Sequence, residues 1–307
     1  MGMATRAAYG RILETVLYQN PQVVVLDADL GNATKSIAFK KAAPERYFDM
    51  GISEQDMMGT AAGLAASGKI PFASTFAVFA AGRAFEQVRN SIAYPKLNVK
   101  IAATHAGLTV GEDGGSHQAV EDIALMRSLP NMTVINPADA KEAEEVLKAA
   151  VQYYGPVYIR LGRAAVADIH DDHYQFNWGK GEILREGDDL GIIATGIMVE
   201  KALAAARILA EEGIRARVIN MHTIKPIDRE LVLSTARKTG KIVTAEEHSV
   251  IGGLGSAVSE VLSQGYPVKQ AMVGIQDSFG ESGTPAELLQ KYGLTVEHIV
   301  EAAKYIG

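Results

Sequence analysis

The chain has 307 residues, and its hydrophobic share of 48% favours two domains, each with its own core. A net charge of -6 argues against nucleic acid or an anionic membrane as the main partner. The absence of cysteine excludes disulfides, thiolate nucleophiles and cysteine zinc sites. The sequence opens with no leader-like segment and contains no apolar run long enough for a bilayer, so we expect a cytoplasmic protein.

Short runs of β-branched residues alternate with alanine-rich amphipathic segments in the first half of the chain. The predicted strands are Val23–Asp27, Arg46–Met50, Val99–Thr104, Met132–Ile135 and Pro156–Leu161. The predicted helices lie near Ala7–Tyr18, Glu54–Ser67, Gly82–Tyr94, Val120–Leu129 and Ala138–Gln152. This alternation is typical of a parallel sheet with helices on both faces.

A second unit of the same kind follows a turn-rich stretch at residues 167–187, which we predict to be a surface linker. A metal site at its two histidines, His170 and His173, is disfavoured because no further histidine lies nearby. Beyond the linker, the predicted strands are Leu190–Ala194, Ala216–Asn220 and Lys241–Ala245, and the predicted helices are Val199–Glu212, Arg229–Thr239 and Gly253–Gln264. The sequence therefore predicts an α/β fold of two doubly wound domains with mostly parallel sheets, at residues 1–166 and 188–307.

Glu54 stands where a predicted strand passes into a predicted helix. A carboxylate in that place faces the crevice at the carboxyl end of the strand, where open α/β sheets bind their ligands. Apolar neighbours would favour its protonated form, so that it could hold a proton for a heterocycle. The alternative is an acid in the first helical turn that only stabilises the helix dipole.

The densest group of polar residues is the loop His105–Gln118, directly after a predicted buried strand. It holds two histidines, His105 and His117, with the acids Glu112 and Asp113. Histidine transfers protons near neutral pH, which suits carbonyl and hydroxyl substrates. A metal site of His105, Asp113 and His117 and an exposed polar loop are the alternatives, and we favour a binding site.

Two aromatic residues, Phe76 and Phe79, follow the end of another strand. They either stack against a flat heteroaromatic ring or pack in the core. Two arginines on the helix that follows, Arg83 and Arg89, are interpreted as ordinary surface or interface charges.

Arg160 and Arg163 close the first domain at the end of a strand. An arginine there is either a ligand of an oxyanion or phosphate, or one half of a structural ion pair. The glycines of Gly252–Gly255 open a later helix and could cradle an anion, but they lack the spacing of a dinucleotide fingerprint and favour close helix packing.

Together, these residues resemble the C-terminal part of transketolases over nearly the whole chain. The segments that carry the resemblance, in the family's order and spacing, are Ala4–Arg6, Met50–Gln55, Ser74–Phe76, Val110–Gly114 with His117, Leu161–Arg163, Thr223–Asp228 and Glu247–Gly255. The resemblance implies a pyrimidine-binding domain for thiamine diphosphate at residues 1–166, the linker, and a transketolase C-terminal domain at residues 188–307. It also implies an enzyme that transfers a two-carbon ketol unit from a ketose phosphate to an aldose phosphate.

The resemblance assigns the cofactor-binding residues. Glu54 matches the catalytic glutamate that bonds the N1′ atom of the aminopyrimidine and promotes its imino tautomer. Phe76 and Phe79 match aromatic residues that pack on the pyrimidine ring.

The resemblance assigns the substrate-binding residues as well. His105 and Asp113 match residues that contact sugar hydroxyls, and His117 matches a position linked to proton transfer and donor-sugar binding, so that both histidines are catalytic candidates. Arg6 and Arg163 match arginines that hold the sugar phosphate through their planar forks.

The chain also departs from the family pattern. Gly82 stands where several members carry a tyrosine beside the pyrimidine, and Ala33 replaces a serine that helps to bind the sugar phosphate. The sequence contains no Gly-Asp-Gly motif, which in the family holds Mg²⁺ on the diphosphate together with a downstream asparagine. We therefore expect no metal ligand on this chain. A separate N-terminal subunit would supply the diphosphate and Mg²⁺ site, in a dimer of heterodimers.

Other functions stay open at this point. They are a β-type subunit of a 2-oxo-acid dehydrogenase, half of a deoxyxylulose-phosphate synthase-like enzyme, a transketolase for an unusual sugar, and a non-catalytic module that kept the fold. The histidine loop and the arginines favour sugar phosphates over a 2-oxo acid. The second domain offers no catalytic candidate, and we expect it to support dimer contacts.

Overall fold

The computed structural model describes residues 2–306 and contains two mostly parallel sheets with helices on both faces, which confirms the predicted α/β fold. Six strands of the first sheet come from residues 23–160: β1 (Val23–Asp27), β2 (Tyr47–Asp49), β3 (Ile70–Phe76), β4 (Lys100–Thr104), β5 (Thr133–Ile135) and β6 (Val157–Arg160). They are parallel and lie in the order β5-β6-β4-β3-β1-β2.

The central strands are buried on both faces, which explains their nearly continuous apolar sequences. In β1, Val24 and Leu26 join the core on one face of the sheet, while Val23 and Val25 join the core on the other face. The helices that cover these faces are α1 (Thr5–Thr15), α2 (Gly31–Thr34), α3 (Ile37–Ala42), α4 (Glu54–Ala66), α5 (Phe85–Gln87), α6 (Asp122–Ser128) and α7 (Ala140–Gln152).

The helical stretch predicted near Gly82–Tyr94 is helical, but it is not a regular α-helix. Two π-helical segments, Phe79–Arg83 and Val88–Ala93, flank the single turn of α5. A π-helical turn contains more residues than an α-helical turn, so it shifts the side chains that follow it around the helix axis.

The second half of the chain contributes the remaining strands: β7 (Glu182–Arg185), β8 (Leu190–Ala194), β9 (Ala216–Asn220), β10 (Thr223–Lys225), β11 (Lys241–Ser249) and β12 (Lys269–Ile275). Five of them form the second sheet in the order β12-β11-β8-β9-β7. Its helices are α8 (Met198–Glu211), α9 (Arg229–Thr239), α10 (Leu254–Gly265), α11 (Pro285–Lys291) and α12 (Val296–Tyr305). Over residues 2–306, no helix combines the length and the apolar character that a membrane span requires.

Two strands depart from the predicted division into domains. The strand β10 lies in the second half of the chain, but it pairs antiparallel with β5 at the edge of the first sheet. The last part of the predicted linker, Glu182–Arg185, is the edge strand β7, which pairs antiparallel with β9. The two units are therefore joined by backbone hydrogen bonds as well as by side chains.

A buried ion pair lies where the two units meet. The Nε atom of Arg160 in β6 lies 2.9 Å from a carboxylate oxygen of Asp122 at the start of α6, and both side chains are buried. Although burial alone would raise it, the charge of Arg160 holds the pKa of Asp122 below its ordinary value. The same guanidinium donates to the backbone oxygen of Glu247 in β11. Of the two roles that the sequence left open, the structure thus gives Arg160 the structural ion pair.

Replacing Asp122 by Asn should destabilise the protein by about 3 kcal/mol, because it removes the carboxylate that is paired with the buried Arg160 guanidinium. Urea unfolding of the two proteins measures the difference. Glu121→Gln, at the exposed neighbouring position, is the matched control and should unfold like the wild type. A loss of less than about 1 kcal/mol in Asp122→Asn would show that the pair does not hold the units together.

The segment before β7 is held to the first unit by His170. The Nδ1 atom of its imidazole lies 3.0 Å from a carboxylate oxygen of Asp139, and the Nε2 atom lies 2.8 Å from one of Glu182. Burial disfavours the charged imidazole, but these two hydrogen bonds outweigh burial and raise the pKa of His170 to about 10. Both ring nitrogens are bonded to carboxylates, so the geometry supports an ion-paired imidazolium at the start of the linker.

This arrangement predicts a stability that falls in alkaline solution. Because the pKa of folded His170 lies above its ordinary value, its contribution is complete below about pH 6.5 and is lost as the pH rises through about 10. The free energy of unfolding should therefore fall between pH 7 and pH 10 by at least about 1 kcal/mol more in the wild type than in His170→Asn. The exposed His173 provides the control, and His173→Asn should follow the wild type. Parallel pH profiles for the wild type and His170→Asn would refute the assignment.

Candidate active site

Glu54 is the first residue of α4, just beyond the carboxyl end of β2. Its carboxylate is only 1% exposed, and the Nη1 atom of Arg83 lies 2.9 and 3.1 Å from its two oxygens. The side chain of Arg83 is 48% exposed. The interpretation of Arg83 as an ordinary surface charge is therefore wrong, because it is the ionic partner of the buried acid.

The aromatic pair lies next to this ion pair. Phe76 ends β3, Phe79 begins the π-helical segment that follows, and their rings are nearly parallel, with centroids 6.0 Å apart. The guanidinium carbon of Arg83 lies 4.6 Å from the centroid of Phe79, and the imidazole of His105 stacks on Phe76 at 3.8 Å. The pair thus presents ring faces to polar groups, and is not simply enclosed by aliphatic core.

His105 follows β4 directly and has a positive φ of 56°, which turns its ring toward Phe76. Its Nε2 atom lies 3.0 Å from a guanidinium nitrogen of Arg6, and its Nδ1 atom lies 2.9 Å from the hydroxyl of Thr104. Since a guanidinium only donates, Nε2 is the acceptor, and Nδ1 carries the proton and donates to Thr104. Burial, together with the charges of Arg6 and Arg163, lowers the pKa of His105 to about 3.

The rest of the histidine loop lies around the same aromatic pair. His117 places the edge of its ring against Phe79, with the centroids 5.5 Å apart. Asp113 is exposed, and no hydrogen bond or ion pair within residues 2–306 involves its carboxylate. The alternative metal site of His105, Asp113 and His117 is disfavoured, because Nε2 of His105 faces the cationic Arg6.

Positive charges gather on the other side of His105. Arg6 also donates to the backbone oxygen of Ala33 at 2.8 Å, and Arg163 donates to the backbone oxygen of Val110 and pairs with Glu112. Burial and the charge of Arg163 lower the pKa of Arg6. These contacts place Arg6 and Arg163, the two predicted phosphate ligands, at the same carboxyl end of the sheet as His105.

Asp27, at the carboxyl end of β1, is a part of the site that the sequence analysis missed. Its carboxylate accepts hydrogen bonds from the backbone N–H of Leu30 and from the hydroxyls of Thr34 and Ser36. Burial raises the pKa of Asp27, and the three hydrogen bonds oppose this effect. They fix the loop that presents the oxygen of Ala33 to Arg6. An aspartate at the end of a buried strand was the available signal.

In the second unit, the glycine-rich start of α10 is already occupied by an acid of the same chain. The backbone N–H groups of Leu254 and Gly255 donate to the two carboxylate oxygens of Glu246 at 2.6 and 2.7 Å. A Cβ atom on Gly253 would lie 2.0 Å from that carboxylate, so glycine is needed there. This accounts for the glycines without an external anion.

The pKa of His105 gives a direct test of the site's electrostatics. Nitrogen-15 NMR of the wild type should show a neutral His105 ring at pH 5, with one protonated and one bare nitrogen. Arg6→Gln should raise the pKa of His105, because it removes a nearby positive charge. Arg11→Gln, on the same helix but paired with Glu144, is the control and should leave it unchanged. A doubly protonated His105 in the wild type at pH 5 would contradict the geometry.

Comparisons with known proteins identify the family of the chain. Residues 1–168 match the transketolase pyrimidine binding domain, and residues 179–299 match the transketolase C-terminal domain. A protein of Methanocaldococcus jannaschii named as a transketolase C-terminal section is 51% identical, over 96% of this chain and 94% of its own length. The 6-deoxy-6-sulfo-D-fructose transketolase subunit of Clostridium sp. is 46% identical, over 97% of this chain and 92% of its own length.

A solved structure, the inactive β4 tetramer of a split gene transketolase, has a TM-score of 0.93 and 60% identity to this chain. The match covers 99% of this chain and 98% of that chain. The present chain therefore belongs to the transketolase family and corresponds to its C-terminal section, which confirms the resemblance found in the sequence.

Proposed function

We propose that this chain is the C-terminal subunit of a split transketolase that depends on thiamine diphosphate and is active with a separate N-terminal subunit. The observation that carries the proposal is the buried carboxylate of Glu54, which is joined through the guanidinium of Arg83 to the ring face of Phe79. The relatives of similar length, one named as a C-terminal section and one solved as a split gene product, support a division of the enzyme between two chains.

The residues around Glu54 fit the pyrimidine end of the cofactor. The carboxylate and the ring of Phe79 already hold a flat cationic group, the guanidinium of Arg83, and an aminopyrimidine has the same requirements of a hydrogen-bond acceptor and a ring face. Glu54, Phe76 and Phe79 would hold this end. When bound, the cofactor supplies an electron sink for breaking a carbon–carbon bond. Glu54 would hold or share the proton on the pyrimidine nitrogen, in a place from which water is largely excluded.

The sequence offers no Gly-Asp-Gly motif for the other end of the cofactor. Mg²⁺ requires several oxygen ligands together with phosphate oxygens. We therefore assign the diphosphate and Mg²⁺ site to the N-terminal subunit, and the working enzyme to an assembly with two copies of each chain.

A sugar phosphate is the substrate that the charges favour. Arg6 and Arg163 provide planar donors for a phosphate group, and their charges act together on His105. The low pKa of His105 keeps its ring neutral, so it can donate from one nitrogen and accept at the other once a hydroxyl replaces a present partner. We assign sugar hydroxyls to His105 and Asp113, and proton transfer to His117.

A transketolase for a less common sugar is the second candidate. The Clostridium relative is named for 6-deoxy-6-sulfo-D-fructose, whose sulfonate would also bind to arginines. The Ala33 position contributes a backbone oxygen in place of the serine hydroxyl, and this oxygen is taken by Arg6. Activity with sulfonated and phosphorylated ketoses, compared at equal concentration, distinguishes the two candidates.

The role of Glu54 is tested in the assembled enzyme. Ketol transfer from xylulose 5-phosphate to ribose 5-phosphate should fall at least about 100-fold in Glu54→Gln, because an amide cannot accept and return the proton. Asp56→Asn, an exposed acid in the same first helical turn, is the matched control and should keep wild-type activity. Full activity of Glu54→Gln would refute the assigned role.

A further inference from the structure

The place beside Glu54 is filled by a side chain of the same chain. Arg83 ends the π-helical segment Phe79–Arg83, and one of its nitrogens, Nη1, donates to both carboxylate oxygens of Glu54. Its guanidinium also lies over the ring of Phe79, 4.6 Å from the centroid. The arginine thus uses the carboxylate and the ring face at the same time.

These are the contacts that the pyrimidine end of the cofactor would need. A guanidinium is planar and delocalised, donates hydrogen bonds in its plane and stacks on aromatic faces. An aminopyrimidine that shares a proton with a carboxylate is likewise planar, donates in its plane and stacks. The Arg83 guanidinium and the aminopyrimidine would therefore compete for the carboxylate of Glu54 and the ring face of Phe79.

We propose that Arg83 is an internal substitute for the pyrimidine. Its guanidinium occupies the place of the pyrimidine ring while the cofactor is absent, and it is displaced when the cofactor binds. This proposal rests on the proposed function. Arg83 is in this account a positioning residue: it pairs with the buried carboxylate and covers the ring face of Phe79 until the cofactor binds.

The exposure of the two partners gives the displacement a direction. The side chain of Arg83 is 48% exposed, while that of Glu54 is 1% exposed, so only the guanidinium is able to move into water. The neighbouring Gly82 leaves free space, because a Cβ atom there would meet nothing within 4 Å. A half-exposed ion pair is a weak interaction, so the competition should be modest.

The test is a calorimetric titration of thiamine diphosphate with Mg²⁺ into the complex of this chain with an N-terminal transketolase section. Arg83→Gln should bind the cofactor about five- to tenfold more tightly than the wild type, because the competing cation is gone. Arg89→Gln is the matched control. Arg89 is exposed on the adjoining segment and donates to Asn90, so its variant should bind like the wild type.

A second measurement separates occupancy from a general effect on the fold. Methylguanidinium added to Arg83→Ala should refill the vacated place and weaken cofactor binding in proportion to its concentration. Methylguanidinium should have little effect on cofactor binding by the wild type, because the Arg83 side chain already occupies the place beside Glu54. Equal effects on both proteins would overturn the proposal.

The outcomes also separate this proposal from the proposed function. Equal or weaker cofactor binding by Arg83→Gln, with a wild type that binds, overturns the role of Arg83 and leaves the proposed function intact. If no complex binds the cofactor, the proposed function fails and this proposal fails with it.

Discussion

The site depends on one geometric constraint: four neighbouring parallel strands have their carboxyl ends on the same side of the sheet. The strands β4, β3, β1 and β2 are neighbours in that order, and each ends in or beside a polar or aromatic group of the site. These groups are His105, Phe76, Asp27 and Glu54. Because helices cover both faces of the sheet, polar groups can reach solvent at the carboxyl ends of the strands without being placed in the apolar core.

The second unit supports this site from outside it. The carboxylate of Glu247 in β11 accepts a hydrogen bond from the backbone N–H of Thr109 at 2.6 Å, and a Cβ atom on Gly107 would collide with the same carboxylate. Glu247 therefore fixes the start of the histidine loop. Together with β10 and Arg160, this contact makes the arrangement of His105 and His117 dependent on the second unit.

The sequence predicted best where local pattern and tertiary structure agree. The strands Leu190–Ala194 and Ala216–Asn220 lie at their predicted bounds, because they are apolar runs between turns. The helix Arg229–Thr239 lies at its predicted bounds because Asp228 caps its start and Gly240 follows its end. The strand Thr223–Lys225 was missed, since three residues beside a proline carry no pattern and are ordered by pairing with β5. The helix Pro285–Lys291 was missed although Thr284 and Glu287 form a capping box that is readable in sequence.

The sequence indicated which residues are candidates for the site, but not which of their side chains contact one another. Glu54, Phe76 and His105 were selected as candidates because each lies at or just beyond the end of a strand, and this rule needs no contact information. The pairing of Arg83 with Glu54 could not be found, because it depends on a π-helical turn and on the order of β2 and β3 in the sheet. Arg160 was open for the same reason, since the choice between phosphate and Asp122 needs the position of α6.

The central claim is that this chain carries only the pyrimidine half of a cofactor site. Its most direct test is a calorimetric titration of thiamine diphosphate and Mg²⁺ into the isolated chain and, separately, into its mixture with an N-terminal transketolase section. We expect binding to the mixture at least about 100-fold tighter than to the isolated chain, because we assign the diphosphate and Mg²⁺ ligands to the other subunit. Equally tight binding to the isolated chain would contradict the claim.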